Sequence, residues 1–123
     1  MERRRFYRVL FPAEVTVLWG ENSFSAQLKN IAYGGAYLIS ERLPPVGTRI
    51  RLVITLEGMH SPPEIRFLAE VVHHGKDGFG VKLVAIDLES LAHLRRLLYF
   101  NLPDADQAEQ ELRDLLGDAA LEF

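Results

Sequence analysis

From Ala13 to Leu83 apolar and polar residues alternate with a period of two, broken at short intervals by glycine, proline and asparagine. Val15, Val17 and Trp19 share one face of a first strand, and Gly20-Glu21-Asn22 reads as a turn. Phe24, Ala26, Leu28 and Asn30 share a face of a second strand. Ala36 to Ile39 makes a short third. After the break at Pro44-Pro45-Val46-Gly47, Ile50, Leu52, Ile54 and Leu56 alternate with Arg49, Arg51, Val53 and Thr55. His60-Ser61-Pro62-Pro63 ends that strand, and Ile65, Phe67, Ala69 and Val71 carry the next. Gly75-Lys76-Asp77-Gly78 then precedes Phe79, Val81 and Leu83. Six short strands that hairpins could link predict a mainly β fold, an antiparallel barrel or sandwich.

The period changes after Ile86. Asp87 can cap a helix whose apolar stripe is Leu88, Leu91, Leu94, Leu97 and Leu98, with Arg95 and Arg96 near its C-terminal end, where the helix dipole favours cations. Asn101 and Pro103 end it. A second, more acidic helix is predicted over Ala105 to Leu116, with Leu112, Leu115 and Leu116 on one side and Gly117 closing it. The leucine stripe requires cover, either from its own barrel or from the same helices of a second copy in a homodimer.

At 123 residues the chain is most simply one globular unit. Its apolar runs fall far short of the roughly 20 residues a membrane-spanning helix requires, so membrane insertion is not expected. The basic start is not followed by an uninterrupted apolar stretch and there is no cysteine, which points to the cytoplasm. Net charge must be divided along the chain. Residues 101–123 carry seven carboxylates against one arginine, a net −6, which leaves the first hundred residues with 13 basic and 10 acidic groups, a net +3. A basic body suits an anionic partner.

Catalytic chemistry finds no candidates. His73 and His74 are adjacent in a predicted strand, so they point to opposite faces and cannot chelate one metal. His60 sits in a proline-rich turn, and His93 lies on the helix without a carboxylate spaced to join it. There is neither a cysteine nor a GxSxG nucleophile elbow. The expectation is a binding protein that has no enzymatic activity and requires neither metal nor cofactor.

Two stretches stand out. The first is ERRRFYR at the start, with Arg3, Arg4, Arg5 and Arg8 before the first strand. The guanidinium is a planar, permanently charged fork that grips phosphate bidentately, pairs with the O6/N7 edge of guanine or stacks on a base. The second is NIAYGG, Asn30 to Gly35, between two predicted strands. Its double glycine permits positive φ and close approach of a ligand to the backbone, and the Asn30 amide can both donate to and accept from a base edge.

In this order and spacing, ahead of a small barrel, the two stretches resemble the PilZ family of cyclic di-GMP receptors. That family pairs an RRxxxR segment with a later (D/N)xSxxG. Here Arg3, Arg4 and Arg8 match the first motif, and Asn30 and Gly35 match the ends of the second. Gly78 to Leu83, GFGVKL, is similar to a GxGVxF stretch near the end of the family's barrel. The resemblance covers roughly residues 2 to 100. It implies a six-stranded antiparallel PilZ-type barrel with one or two C-terminal helices, divided into an arginine arm (1–12), the barrel and helix (13–100) and an acidic helical tail (101–123).

The resemblance also implies a function. Cyclic di-GMP, a dianion with two guanines, would be clamped by Arg3, Arg4 and Arg8 and held against the barrel by the segment containing Asn30, Ala32 and Gly35. Binding would neutralise and order the arm, and an unidentified effector protein would read the altered surface. Phe6 and Tyr7 would either pack beneath the ordered arm or pin it permanently. Ala32 stands where the family usually has serine, so one neutral hydrogen bond of about 0.5–1.5 kcal/mol is lost, roughly tenfold or less in affinity. The alternative is a degenerate adaptor of the same fold that binds its protein partner without nucleotide. An RNA- or DNA-binding barrel is disfavoured, because the aromatics alternate toward the predicted core and the acidic tail competes for the arginines.

Overall fold

A computed structural model describes residues 9–56, 63–101, 110–114 and 120–122. Six strands, β1 (Val9–Trp19), β2 (Asn22–Ala32), β3 (Gly35–Ile39), β4 (Arg49–Thr55), β5 (Glu64–His74) and β6 (Gly78–Asp87), pair antiparallel in the order β3-β2-β1-β4-β5-β6. A further β3–β6 pairing closes them into a barrel. The predicted antiparallel barrel is therefore the observed one. One connection differs from a chain of hairpins: β3 leads to β4 without pairing with it, because both edges of β3 are taken, one by β2 and the other by β6. The proline-rich link instead crosses to β5, where the Gly47 amide donates to the Val71 carbonyl (2.7 Å) and His74 Nε2 donates to the Pro44 carbonyl (2.7 Å).

The period-two pattern follows from one wet and one dry face. Val15, Val17, Leu28, Leu38, Leu52, Ile54, Ala69, Val71 and Phe79 all point inward and are almost wholly buried. Each large aliphatic or aromatic side chain so placed contributes about 1.5–3 kcal/mol through loss of apolar surface to water. β1 turns into β2 through Gly20-Glu21, with Trp19 paired to Asn22. Gly20 has φ 61° and no non-glycine residue takes a positive φ among those described, the pattern of a hairpin turn with glycine at its first central position.

α1 (Leu88–Asn101) begins as the sequence predicts: the Ser90 amide donates to Asp87 Oδ1 (2.7 Å), satisfying one of the orphan donors of the first turn. Ser90 is buried, and its hydroxyl accepts from the Arg66 amide of β5 (2.9 Å), stitching the helix to the barrel. Leu91, Leu94, Leu97 and Leu98 face the barrel, and the Asn101 side chain donates to the Leu97 carbonyl (2.7 Å) at the other end. Of the predicted second helix, residues 110–114 are helical, and the remainder lies outside the described residues. Leu112 packs against the barrel's own core, so intramolecular packing already covers this member of the stripe.

One element was not predicted. β7 (Ala120–Glu122) pairs in parallel with β6, Ala85 to Ala120 and Asp87 to Glu122. It lies where β3 has ended, since β3 covers β6 only from Gly78 to Lys82.

Candidate functional site

Asn30, Ala32 and Gly35 lie together at the β2–β3 corner. The route to them involves a bulge that the alternation did not reveal. Leu28 pairs with Leu38 but Asn30 pairs with Tyr37, leaving Lys29 as an extra residue in β2. Without it Asn30 would follow Phe24, Ala26 and Leu28 to the inner face, as the sequence pattern predicts. With it, Ile31 turns inward (1% exposed) and Asn30 is half-buried on the outside. The bulge therefore delivers the amide to a surface that a ligand can reach.

Ala32 is buried, so a serine hydroxyl here would project from a tightly packed corner. Gly35 is in extended strand, not in the left-handed region; among the described residues Gly20 and Gly47 alone have positive φ. The expectation of a positive-φ double glycine is corrected accordingly. Gly35 pairs with both Ala32 and Lys82, and a Cβ on it would overlap the Val81 carbonyl oxygen of β6. The close approach that requires glycine is between two strands, at the seam that closes the barrel.

Arg3, Arg4 and Arg8 lie outside the described residues. Their attachment does not: β1 starts at Val9, paired with Ile31, and Leu10 pairs with Asn30. Val9, next in sequence after Arg8, thus pairs with the residue between Asn30 and Ala32. Antiparallel pairing brings the first residues of β1, which follow the arginine motif in sequence, beside Asn30 and Ile31 of the second motif.

The same face carries groups that the sequence reading passed over. Tyr37 pairs with Gly80 and Gly80 with His73, so Leu10, Asn30, Tyr37, Gly80 and His73 form one row across five strands. A second bulge, at Val72, sets His73 in that row. The Tyr37 and His73 rings lie 5.9 Å apart between centroids, tilted by 30°. The Tyr37 hydroxyl donates to Asp77 Oδ1 (2.7 Å), and the Lys29 ammonium stands 5.7 Å from the ring centroid. Burial, and then the bond to Asp77, push the Tyr37 hydroxyl above its ordinary pKa. The hydrogen bond from Tyr37 holds the Asp77 carboxyl below its own. His74 turns instead to Pro44, so the two adjacent histidines serve different partners. The expectation that the strand aromatics alternate inward holds for Phe67 and Phe79 and fails for Tyr37, which is half-buried on the outer face.

An open groove of about 1290 Å³ lies further along the same strands, lined by Phe24, Gln27, Ile39, Arg42, Lys76 and Asp77 among others. The Arg42 guanidinium stands 5.7 Å from the Phe24 ring. Its walls mix both signs of charge and include none of Asn30, Ala32 and Gly35. No group of three or more His, Cys, Asp or Glu suited to a metal occurs among the described residues. None of the helices described is long and apolar enough to cross a membrane.

The described residues form a closed six-stranded barrel with Asn30, Ala32 and Gly35 at one corner and a helix at its end. The chain belongs to the PilZ domain family, whose sequence profile matches residues 2–100. Among solved structures it is similar to the PilZ domain with c-di-GMP of YcgR from Escherichia coli, at a TM-score of 0.63 and 15% identity, over 96% of this chain and all of that domain. It is also similar to the Bacillus subtilis inhibitor of motility (MotI/DgrA), at a TM-score of 0.63 and 17% identity, over 96% of this chain. The chain spans about half (54%) of that protein's length. At these identities the likeness is one of fold.

Proposed function

We propose that this protein is a cytoplasmic bacterial cyclic di-GMP receptor without catalytic activity, which passes ligand occupancy to a protein partner. Arg3, Arg4 and Arg8 grip the phosphates and guanine edges, and Asn30 holds a base beside the barrel. One observation carries the reading: the register of β1 on β2 sets Val9, the residue that follows Arg8 in sequence, opposite Ile31, between Asn30 and Ala32. A permanently charged fork one residue before Val9 in sequence suits a dianion seated at Asn30. Membership of the PilZ family and the fold shared with a YcgR domain that holds c-di-GMP support the choice of ligand. Neutralising the arm changes the surface beside it, and that change is the output that a partner reads.

Isothermal titration calorimetry with cyclic di-GMP in low salt tests the reading. Saturable heat is expected, and Arg8→Ala should abolish it without altering the melting temperature. Absence of heat at tens of micromolar ligand would refute the receptor role. A partner affinity unchanged by nucleotide would then favour the constitutive adaptor.

A further inference from the structure

We propose that Tyr37 and His73 form an aromatic platform on the outside of the barrel, on which one guanine of the bound dinucleotide stacks while its edge meets Asn30. The proposal rests on the receptor reading above and adds to it a surface that neither motif contains.

The platform is built by backbone. A Cβ at Gly80 would overlap the His73 imidazole, and one at Gly75 would overlap the Tyr37 hydroxyl. Both rings therefore lie against stretches of main chain that have no side chain of their own. Glycine within a strand marks such close approach. The bond to Asp77 fixes the far end of the tyrosine, and its ring sits next to the imidazole at 5.9 Å. Neither ring belongs to the hydrophobic core, and His73 is exposed. Directly paired residues on one face have Cβ atoms about 4.5–5.5 Å apart. Asn30 and Tyr37 are so paired, which sets the amide and the ring at neighbouring positions of the outer face, and a planar base lying on that ring would turn its donor and acceptor edge toward the amide. Lys29, whose ammonium lies 5.7 Å from the same ring, adds a cation for a phosphate on the ribose of that nucleotide. Asn30 and the Tyr37 ring share one row of the sheet, the bulged Lys29 sets its ammonium beside that ring, and the row continues into Leu10 near the start of β1.

Proton NMR of cyclic di-GMP with the unaltered protein should show an upfield ring-current displacement of a guanine H8. Tyr37→Leu should remove that displacement and weaken binding roughly 5- to 100-fold, the range for loss of one base–aromatic stack. Tyr37→Phe, which keeps the ring, should retain both the displacement and most of the affinity. H8 signals that stay put in the unaltered protein's complex, or unchanged affinity in Tyr37→Leu while Arg8→Ala abolishes binding, would overturn the platform and leave the receptor reading standing. If the unaltered protein gives no binding, both fall. Should Tyr37→Leu prove unstable by thermal melting, the H8 displacement in the unaltered complex decides alone.

Discussion

Leu38 and Tyr37 are consecutive residues of β3, and their partners on β6, Phe79 and Gly80, are consecutive too. Leu38 and Phe79 meet inside the barrel with no exposed surface, whereas Tyr37 and Gly80 meet outside it. One rung of the ladder thus fills a closed volume with apolar atoms, and the next keeps a bare stretch of backbone for rings to lie on. The inner rung is answerable to packing density, because no void can be refilled by water. The outer rung is answerable to whatever reaches the surface. The same two strands therefore hold the fold together on one side and present recognition groups on the other.

Substitutions on the two sides should have different readouts. Phe79→Ala leaves a cavity in the barrel and should destabilise it by about 3–5 kcal/mol, measured by urea denaturation. A loss under about 1 kcal/mol would show that the interior collapses around the gap. Gly35→Ala stands between the two sides. Its methyl group meets the Val81 carbonyl at the closing seam, so about 1–3 kcal/mol of stability should be lost even without ligand. If stability is unaffected and only ligand affinity falls, Gly35 serves the site and not the seam. Ala32→Ser should tighten cyclic di-GMP binding by up to about tenfold, the worth of one neutral hydrogen bond. Calorimetry would detect it, and unchanged affinity would mean the buried corner keeps the hydroxyl from the ligand.

The smallest effect is that of pH on the outer rung. Asp77 is held below its ordinary value of 3.8 by the Tyr37 hydrogen bond, so the folded state favours its ionised form. Its contribution is present above the ordinary carboxylate range and is lost as pH falls through the depressed value. Tyr37 is raised above its ordinary 10.0 by burial and by Asp77. Its contribution is present below that value and is lost as pH rises through the raised one. The stability difference between the unaltered protein and Tyr37→Phe should therefore be flat near neutrality and shrink at both extremes, as urea midpoints across pH would show.

The strands could be read from the sequence because an inward face must be apolar at every second position, and Asp87 could be read as a cap because few residue types satisfy an orphan helix donor. The barrel's outer face could not be read in the same way. Whether Asn30 points in or out depends on a single extra residue at Lys29, and alternation carries no mark of a bulge. The row from Asn30 to His73 needs three pairings and two bulges at once. A signal was nonetheless present: Gly75, Gly78 and Gly80 cluster around a strand start, and glycine in a strand marks close approach. β7 gave no signal, since three residues are too few to show a period.

Backbone amide shifts mapped by ¹⁵N–¹H NMR while cyclic di-GMP is added test the central claim most directly. The account predicts that the largest displacements fall on Leu10, Asn30 to Gly35, and Tyr37, the residues around the point where the arginine arm joins the sheet. Displacements concentrated instead at Phe24, Ser25 and Arg42, with Asn30 and Tyr37 unmoved, would contradict it.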